Sequence, residues 1–389
     1  MAVHVGIIDQ DPIRLVTPLL DNRTISQHIV FIGVRAQEEI YHRLHSVLAK
    51  RDITSEFFEI PNVANTSKIK QAVCQLAAEL KSRGEEVKLN ASCGLRHRLL
   101  SVYEVFRSLH WPIFVVEPNS DRLCWLYPEG KEDTQVEDRI TIDDYLTIFG
   151  ARGEFNEHDL PPQLDQKLYE LGERWASNAL ELGPGLATLN YLATTCRKEQ
   201  RLDVELSDKQ QGYRELNMLL SDLVEADIAT YQGGILTFTS EEARRFSNGE
   251  WLETLVHSTV RQIQQDMPTI QDHSLNVQVY RQLGEREVRN ELDVASVVNN
   301  KLHIIECKTK GMRDDGDDTL YKLESLRDLL GGLQARAMLV SFRPLRYNDI
   351  TRAEDLGLAL IGPEELKDLK NYLTKWFVEA GGSEDCSDC

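Results

Sequence analysis

Hydrophobic and polar positions along the first 150 residues alternate between two periods. Short runs of β-branched and aromatic residues predict strands at Val3–Ile8, His28–Ile32, Thr54–Ile60, Glu86–Asn90 and Pro112–Glu117. Between them, apolar residues recur at helical spacing and predict helices over Pro12–Leu20, Gln37–Lys50, Thr66–Arg83 and Leu95–Leu109. This alternation predicts an α/β domain over residues 1–150, with a parallel, doubly wound sheet that carries helices on both faces.

Polar or glycine-containing turns follow three strands of this predicted sheet at its carboxyl edge. They are Asp9-Gln10-Asp11, Gly33-Val34-Arg35 and Asn90-Ala91-Ser92-Cys93-Gly94-Leu95-Arg96. Ligands of doubly wound folds bind at this edge, and the backbone N–H groups at a helix N-terminus can hold a phosphate. Every doubly wound fold needs turns there, so the pattern indicates a place for a ligand and not its identity.

The pattern changes after residue 150. Two glycines and Pro161-Pro162 predict a linker around residues 150–162. In the segment 163–246, a helix over Gln210–Ala226 precedes two short apolar runs that flank Gly233-Gly234, which indicates a winged-helix-like module. A packing or spacer role is as consistent with this composition as DNA binding, because Arg214 shares its helix with acidic residues.

Two strand-like runs on either side of Asn299-Asn300 predict a β-hairpin, since asparagine tolerates the positive φ of a tight turn. With a two-residue loop, Val298 pairs with Lys301, and counting outward places Asp293 opposite Glu306 and Glu291 opposite Lys308. Side chains alternate between the two faces of a strand. One face therefore carries Glu291, Asp293, Glu306 and Lys308, and the other carries Leu292, Val294, Val298, Ile305 and Cys307.

Two carboxylates opposed on a sheet repel each other, and a cation between them relieves the repulsion. Mg²⁺ is held by one or two carboxylates with water and phosphate oxygens, and a neighbouring lysine can hold the scissile phosphate or orient the attacking water. Asp293, Glu306 and Lys308 therefore predict metal-assisted phosphodiester hydrolysis. The alternative is a half-exposed hairpin with a solvated acidic face, and a register shift of one residue removes the pairing.

Composition and charge limit the classes of function. Of 389 residues, 44 are Lys or Arg and 63 are Asp or Glu, which gives a net charge of −19. Such a chain repels nucleic acid at long range, so charge alone disfavours a nucleic-acid partner. No apolar run is long enough to span a membrane, and the first residues do not resemble a signal peptide. Seven irregularly spaced cysteines favour the cytoplasm, and Cys386-x-x-Cys389 ends a tail, residues 379–389, that is predicted to be disordered.

Glu291-Leu292-Asp293 followed by Glu306-Cys307-Lys308 resembles the (P)D…(D/E)-x-K core of restriction-endonuclease-like nucleases. The resemblance implies an α/β nuclease domain over residues 247–378 whose metal ligands are Asp293, Glu306 and the Cys307 backbone carbonyl. The catalytic residues that it implies are Asp293, Glu306, Lys308, Glu291 and Glu253. Glu253 lies in the helix opened by Gly249-x-Trp251, where an ordinary helix-surface glutamate is the alternative. Lys322, at the start of the helix predicted over Thr319–Leu330, is a further candidate contact.

The amino-terminal domain resembles a CARF domain, the Rossmann-like sensor of cyclic oligoadenylates in CRISPR systems. The family's turn reads Asn-x-Thr-Gly-Gly-Thr-Lys; this chain keeps Asn90, Gly94 and a basic residue at Arg96, has Ser92 for the first Thr, and departs at Cys93 and Leu95. With the nuclease core, the chain resembles the CARF nucleases of type III CRISPR defence, which are activated when cyclic tetra-adenylate binds across a CARF dimer. The ligand-binding residues implied are Asp9, Gln10, Asp11, Gly33, Val34, Arg35, Asn90, Ser92, Cys93, Gly94, Leu95, Arg96 and Arg98.

The resemblance implies a homodimer that is allosterically activated by cyclic tetra-adenylate, and the cysteine usage favours the cytoplasm. With Mg²⁺ or Mn²⁺ it is expected to cleave single-stranded RNA or DNA, or to nick duplex DNA, in antiviral defence. Two alternatives stay open. A CARF and winged-helix transcription regulator predicts metal-independent DNA binding without cleavage, and a constitutive repair or restriction endonuclease predicts metal-dependent cleavage without an activator.

Overall fold

The computed structural model describes residues 2–23, 27–155, 162–310 and 316–380. The first of its three sheets is formed by β1 (Ala2–Ile7), β2 (His28–Gly33), β3 (Thr54–Glu59), β4 (Glu86–Asn90), β5 (Ile113–Val116), β6 (Arg122–Tyr127) and β7 (Thr134–Gln135). The helices of this amino-terminal domain are α1 (Ile13–Leu20), α2 (Glu38–Ala49), α3 (Thr66–Ser82), α4 (Arg96–Ser108) and α5 (Ile142–Ile148).

The amino-terminal sheet has the strand order β3-β2-β1-β4-β5-β6-β7. Strands β1 to β5 are parallel, whereas β6 and β7 pair in antiparallel fashion at one edge. Helices α3 and α4 pack on one face around Val73 and Phe106, and α1, α2 and α5 contribute Leu15, Leu44 and Tyr145 to the cluster on the other. The predicted doubly wound α/β arrangement is therefore confirmed, and the carboxyl ends of β1, β2 and β4 lie together at one edge.

Beyond α5 the chain forms strand β8 (Ala151–Glu154) and then the middle segment. The helices of this segment are α6 (Pro162–Ser177), α7 (Ala179–Glu199), α8 (Asp208–Gln211), α9 (Arg214–Glu225) and α10 (Glu241–Arg245). Its strands are β9 (Asp203–Glu205), β10 (Ala229–Gln232) and β11 (Ile235–Phe238), in the order β10-β11-β9. Gly233 and Gly234 form the predicted hairpin turn with positive φ, which glycine adopts without a steric cost.

The carboxy-terminal domain follows a turn at Phe246–Glu250. Its sheet contains β8, β12 (Ile270–Leu283), β13 (Arg286–Val298), β14 (Lys301–Lys308), β15 (Arg336–Ser341) and β16 (Ala359–Ile361), in the order β16-β15-β14-β13-β12-β8. Its helices are α11 (Trp251–Asp266), α12 (Gly316–Gly331), α13 (Tyr347–Asp355) and α14 (Leu369–Ala380). Helices α11 and α14 belong to one apolar cluster, which continues into α6 and α7, and α12 belongs to another. The middle segment and this domain therefore share a core.

Strands β6 and β7 and helix α5 are not among the predicted elements, and three other features also differ from the sequence expectations. Ala151–Glu154, which local composition placed in a linker, is the edge strand of the carboxy-terminal sheet and pairs with Gln278–Arg281. Its partner is distant in sequence, so composition could not reveal the pairing. The helix predicted over Gln210–Ala226 is split in two: α8 ends at Gln211, and α9 begins at Arg214 after Gly212, a residue type that disfavours a helix interior. Strand β9 adds a third strand to the predicted wing; its three residues are too short for a periodic signal.

Two further features concern the apolar core and the carboxyl end of the chain. Trp175, expected in the core, has no exposed surface and packs edge-on against Trp251. Helix α14 extends to Ala380, and residues 381–389 of the predicted tail, with Cys386 and Cys389, lie outside the described residues. Among the helices that the structure describes, none has the length and apolar character needed to cross a membrane.

Candidate active site and ligand-binding edge

The turn between β13 and β14 sets the register of the acidic hairpin. Asn299 and Asn300 have φ angles of 48° and 53°, the conformation that a two-residue hairpin turn requires. Val298 pairs with Lys301, and the antiparallel ladder continues to the pair Val294–Ile305. The register counted from the sequence is confirmed over this ladder, and Asp293 and Glu306 are the next residues outward.

Asp293, Glu306 and Lys308 lie together where the ladder ends. The Asp293 carboxylate accepts a hydrogen bond from the Cys307 backbone N–H at 2.7 Å, which joins the two strands at this point. Glu306 is only 7% exposed, and the Lys308 ammonium forms a direct ion pair with it. The structure therefore brings together the three groups that the spacing singled out.

Glu291 lies at the exposed margin of this group. Its predicted pairing with Lys308 falls beyond the ladder between β13 and β14. Instead, Glu291 pairs with Gln278 of β12, whose side-chain amide donates a hydrogen bond to its carboxylate at 2.7 Å. Lys308 pairs with Ser341 of β15. Glu291 therefore adds negative charge beside the site from a solvent-facing position.

The predicted face of Leu292 is wrong. Leu292 is buried in a different apolar cluster from Val294, although simple alternation places both on one face. On the neighbouring strand, Asn276 has a φ of 52° and lies between Leu275, which pairs with Val294, and Val277, which pairs with Leu292. A positive φ inside a strand interrupts its regular alternation, and a count from sequence alone assumes that no such interruption occurs.

Burial controls the charges at this site. Burial, together with the neighbouring Glu306 carboxylate, raises the pKa of Asp293 from 3.8 to about 7. Burial by itself lowers the pKa of the Lys308 ammonium, but Glu306 and Asp293 outweigh it, and the net shift is upward. Lys308 is therefore a cation at neutral pH. The carboxylates repel each other, so binding of a second cation near them is favourable.

Glu253 joins this group from the first turn of α11. Burial, followed by the charges of Asp293 and Glu250, raises the pKa of Glu253 to about 9, and α11 itself packs against β13 and β14. Glu250 was not singled out by the sequence pattern, and burial raises its pKa as well. A signal for it exists, because glutamates three residues apart lie on the same face of a helix.

The donor atoms at this site fit a hard divalent cation. Asp293 and Glu306 supply carboxylate oxygens, and Mg²⁺ or Mn²⁺ takes oxygen ligands while leaving part of its shell to water and phosphate. Within the described residues, no three His, Cys, Asp or Glu side chains form a complete metal centre. An ion at Asp293 and Glu306 therefore needs further oxygen ligands, and the Cys307 carbonyl oxygen is a suitable one. The Cys307 thiol is not a suitable ligand, because burial in an apolar cluster raises its pKa well above the ordinary value.

Helix α12 carries the remaining candidate of this domain. Its inward side is apolar, with Leu320 and Leu323 buried. Lys322 is exposed, next to Tyr321, whose ring centre lies 5.2 Å from the Arg352 guanidinium. The structure thus places Lys322 on the solvent side of the helix.

At the amino-terminal domain, the three predicted ligand turns meet at the carboxyl edge of the sheet. The Asp9 carboxylate accepts a hydrogen bond from the Gly94 N–H at 3.2 Å, which joins the turns after β1 and β4. The Gln37 side-chain amide bridges the Ile8 carbonyl and the Val34 N–H, which joins the turns after β1 and β2. Gly94 has a φ of 116° and lies so close to the Ile7 side chain that a Cβ would meet it at 2.9 Å.

Several predicted ligand residues are used to hold these turns in shape. The buried Asn90 amide donates to the Arg14 carbonyl at 2.8 Å and accepts from the Ser92 backbone N–H at 3.0 Å. The Cys93 thiol contacts the Asp11 carbonyl at 3.3 Å, and burial raises its pKa to about 12. Gly33 and Val34 are likewise buried.

The remaining predicted ligand residues at this edge differ in how much of each side chain is exposed to solvent. Arg98 is only 6% exposed and donates to the Asn62 side chain at 2.9 Å. Asn62 was not singled out, although it follows parallel strand β3 at the same edge of the sheet. The candidates that face solvent are Gln10, Arg35, Leu95 and Arg96. Arg35 and Arg96 are therefore the predicted cations that a phosphate can reach directly.

Comparisons with known proteins identify relatives of the carboxy-terminal domain and of the whole chain. Residues 240–380 match the family model of the Card1-like endonuclease domain. The chain is 82% identical to protein VC1899 from Vibrio cholerae, over 98% of this chain and 99% of that one, and the crystal structure of that protein matches with a TM-score of 0.96. The chain belongs to the VC1899 family and carries a Card1-like endonuclease domain.

Two more distant structures share the fold. Can2 from Sulfobacillus thermosulfidooxidans, in complex with cyclic tetra-adenylate, is 23% identical over 97% of this chain and 99% of that one, with a TM-score of 0.77. A type III CRISPR defence DNA nuclease activated by cyclic oligoadenylate is 14% identical over 95% of this chain and 51% of that one, with a TM-score of 0.56. Among curated proteins, no sequence matches significantly. The predicted resemblance to CARF nucleases is confirmed.

The amino-terminal domain, called the CARF domain below for the fold that it shares with Can2, directly contacts the turn of the hairpin in the endonuclease domain. The Asn300 side-chain amide donates to the Asp121 carboxylate and, at 3.1 Å, to the Glu137 carbonyl. Its oxygen accepts from the Arg139 N–H at 3.2 Å, and the Tyr145 hydroxyl donates to the Asn300 carbonyl at 2.6 Å. We call these contacts of Asn300 with Asp121, Glu137, Arg139 and Tyr145 the Asn300 joint. It ties the hairpin that carries Asp293 and Glu306 to the CARF domain.

A second contact links the ligand edge to the endonuclease domain. The Asp11 carboxylate, predicted to bind ligand, accepts a hydrogen bond from the Leu333 backbone N–H at 3.0 Å. A Cβ atom at position 332 would lie only 2.9 Å from the same Asp11 carboxylate, so only glycine fits at this position. The turn after β1 therefore contacts both the ligand edge and the segment after α12.

Proposed function

We propose that this protein is a metal-dependent nuclease of type III CRISPR antiviral defence that acts as a cytoplasmic homodimer activated by cyclic tetra-adenylate. The proposed substrates are single-stranded RNA or DNA, or duplex DNA in which it introduces nicks. The observation that carries the proposal is the convergence of Glu253, Asp293, Glu306 and Lys308 within a Card1-like endonuclease domain.

The side chains divide the chemistry between them. Asp293, Glu306 and the Cys307 carbonyl would hold Mg²⁺ or Mn²⁺, which when bound stabilises negative charge on the phosphate and makes a bound water acidic. The Cys307 N–H fixes the orientation of the Asp293 carboxylate. Lys308, a cation beside Glu306, binds a non-bridging oxygen of the scissile phosphate and orients the attacking water. Glu253, which is partly buried, and Glu291, at the exposed margin, add carboxyl groups that can bind water of the cation shell.

The activator is proposed from the fold and from the exposed cations. The Can2 neighbour is in complex with cyclic tetra-adenylate, and the CARF domain of this chain shares that fold. Arg35 and Arg96 are exposed where the three turns meet, and arginine is well suited to hold phosphates. A ligand shifts an equilibrium only through different affinities for the two states. Cyclic tetra-adenylate is therefore expected to favour the arrangement in which the Asn300 joint holds the hairpin in its cleaving geometry.

The proposal is tested by cleavage of a labelled supercoiled plasmid and a labelled RNA in Mn²⁺, with and without cyclic tetra-adenylate. Product is expected only when metal and activator are both present. Asp293→Ala and Glu306→Ala are expected to lower the rate about a hundredfold or more, since each removes part of the several kcal/mol that a bound metal supplies. Both variants should bind cyclic tetra-adenylate like the wild type.

Glu287→Gln is the matched control, because Glu287 is an exposed glutamate on the same strand as Asp293. It should cleave at the wild-type rate. Full cleavage by Asp293→Ala contradicts the assignment of the site. Retention of duplex without metal and without product indicates the transcription regulator, and full cleavage without activator indicates a constitutive nuclease.

A further inference from the structure

The proposed active site is strongly acidic, and a nucleic acid strand brings more negative charge to it. Carboxylates from α11, from the turn before it and from the hairpin influence one another there, namely Glu250, Glu253, Glu291, Asp293 and Glu306. The nearby cation Lys308 is engaged with Glu306. A phosphodiester strand is bound largely by cations that neutralise its phosphates. The site therefore needs a further cation next to Lys308 that is not occupied by a carboxylate of the protein.

Arg343 lies at the same edge of the sheet as Lys308. Strand β15 runs parallel to β14, Ser341 pairs with Lys308, and the Phe342 N–H donates to the Lys308 carbonyl at 2.8 Å. The Ser341 hydroxyl holds the next residue in place: it accepts from the Arg343 N–H at 3.2 Å and donates to the Arg343 carbonyl at 2.8 Å. The backbone of Arg343 is thus fixed beside the end of the strand that carries Lys308.

The Arg343 guanidinium has no ion pair with a carboxylate in the part of the chain that the structure describes. It is half-buried and lies against Gly183 of α7, where a Cβ would meet Nη1 at 2.7 Å. Many other arginines of this acidic chain are paired, as Arg244 is with Glu241. Glycine at position 183 leaves the space that this unpaired cation occupies.

Helix α7 also contacts the residue that follows Lys308 and the turn that precedes α11. Asn190, two turns beyond Gly183, is 4% exposed and donates to the hydroxyl of Thr309, the residue after Lys308, at 3.4 Å. Thr194 donates to the side chain of Asn248, in the turn before α11, at 2.9 Å. One face of α7 therefore borders the carboxyl ends of β14 and β15 and the start of α11, and Arg343 lies along that border.

We propose that Arg343 is a substrate-binding residue that holds a backbone phosphate of the nucleic acid strand next to the scissile phosphate, between α7 and the carboxyl ends of β14 and β15. This inference rests on the proposed nuclease function and names a contact for its substrate. The planar guanidinium forms two parallel hydrogen bonds to a phosphate. Such contacts position the strand without reading its sequence.

The test measures binding of a labelled single strand by Asp293→Ala protein in Mn²⁺ and cyclic tetra-adenylate over a series of salt concentrations. Adding Arg343→Ala should weaken binding about tenfold, because a charge-assisted hydrogen bond is lost. The slope of log affinity against log salt should decrease by about one, since one fewer phosphate is neutralised. Arg343→Lys should keep the slope. Arg83→Ala, which removes the same charge from the CARF surface, should change neither quantity.

The same substitution in the active protein separates this inference from the proposed function. Arg343→Ala should raise KM about tenfold and largely preserve kcat, with unchanged melting temperature and unchanged binding of cyclic tetra-adenylate. If the wild type cleaves and Arg343→Ala matches it in KM and in salt slope, only the inference is overturned. A loss of affinity with an unchanged slope indicates a packing role and also overturns it. An inactive wild type overturns the proposed function and this inference with it.

Discussion

At the scale of single residues, burial decides what each charged side chain can do. Arg96 and Arg98 are two residues apart in one helix, and the sequence pattern treats them alike. Arg96 is exposed at the start of α4, whereas Arg98 is buried and donates to Asn62. Exposure depends on the segment after β3, which is distant along the chain, so sequence spacing does not separate the two roles.

This difference predicts opposite effects of two similar substitutions. Arg35→Ala and Arg96→Ala should each weaken binding of cyclic tetra-adenylate by about ten- to a hundredfold, because each removes a charge-assisted hydrogen bond of about 1.5–3 kcal/mol. Arg98→Ala should instead lower the melting temperature, since it leaves Asn62 without its partner. Calorimetric titration and thermal unfolding measure the two effects, with Arg83→Ala as the exposed control. Unchanged affinity in both Arg35→Ala and Arg96→Ala contradicts the placement of the ligand at this edge.

The raised pKa of Asp293 predicts how stability depends on pH without metal. Its pKa rises from 3.8 to about 7 on folding, so between these values the folded protein binds more protons than the unfolded chain. The free energy of unfolding should therefore fall as pH rises through this window, by about 4 kcal/mol, since each pKa unit corresponds to about 1.4 kcal/mol. Asp293→Asn should make that dependence shallower, leaving the part due to the raised pKa of Glu253, and be more stable than the wild type above neutral pH.

Chemical denaturation in EDTA over this pH range checks the expectation. Asp328→Asn, which removes an exposed carboxylate of the same domain, is the control and should leave the slope unchanged. Adding Mn²⁺ above neutral pH should stabilise the wild type more than Asp293→Asn, because a ligand that binds the folded state stabilises it. Identical pH dependence of wild type and Asp293→Asn in EDTA argues against a raised pKa at this carboxyl.

At the scale of elements, the hairpin β13–β14 shows which structural features local sequence can predict and which it cannot. Asn299-Asn300 was sufficient to predict the turn and the register from Val298 to Val294, because both follow from local backbone geometry. The interruption at Asn276 and the changed side of Leu292 were not predictable, because they depend on the neighbouring strand β12. The sequence also gives no indication that Asn300 contacts the CARF domain.

Two glycine substitutions distinguish the turn from the joint. Asn299→Gly and Asn300→Gly both preserve the positive φ, but only Asn300→Gly removes the side chain that contacts Asp121. Burial raises the pKa of Asp121 to about 7, and the hydrogen bond from Asn300 opposes this shift. Asn300→Gly should therefore cost about 1–3 kcal/mol in free energy of unfolding, the usual penalty for an unpaired buried polar group. Asn299→Gly should cost less than about 1 kcal/mol.

Cleavage provides the second measurement for this pair. Asn300→Gly should bind cyclic tetra-adenylate like the wild type and show a reduced ratio of activated to unactivated rate. Asn299→Gly should keep the wild-type ratio. An unchanged ratio in Asn300→Gly shows that the Asn300 joint does not transmit the effect of the ligand.

At the scale of the whole molecule, the domains are less separable than the sequence suggests. Strand β8 follows the CARF domain in sequence but completes the endonuclease sheet beside β12. Helix α5 contributes Tyr145 and Leu146 to the cluster that contains Val277 and Leu292 of that sheet. Ala151–Glu154, at the start of the segment predicted as a linker, are therefore a structural part of the endonuclease domain, whereas residues 156–161 of that segment lie outside the described residues.

Two fragments test this interpretation. Residues 139–380 include α5 and β8, whereas residues 162–380 lack both and leave the backbone of β12 unpaired at its edge. An unpaired edge strand promotes aggregation. We expect the longer fragment to be soluble with one cooperative unfolding transition and the shorter one to aggregate, as judged by light scattering and thermal unfolding. Equal solubility and equal stability of the two fragments contradict a structural role for β8.

The net charge of −19 also has a different meaning once charges are placed in space. Several carboxylates converge near Asp293, while Arg35, Arg96 and Arg343 are local cations at the edges where phosphates are proposed to bind. The local electrostatic potential decides whether a phosphate binds at a given place on the surface, whereas the net charge acts at long range. Binding of nucleic acid without metal and activator is therefore expected to be weak and strongly dependent on salt.

The sequence by itself determined the α/β class, the order of β1 to β5 and of α1 to α4 in the CARF domain, the hairpin register and the choice of Asp293, Glu306 and Lys308. Each of these follows from local periodicity, from turn chemistry or from the spacing of a motif. Only the tertiary structure decided that Ala151–Glu154 belongs to the endonuclease sheet, that Arg98 is buried and that Asn300 is held by the CARF domain. These features depend on contacts between residues far apart in the chain, which local patterns do not encode.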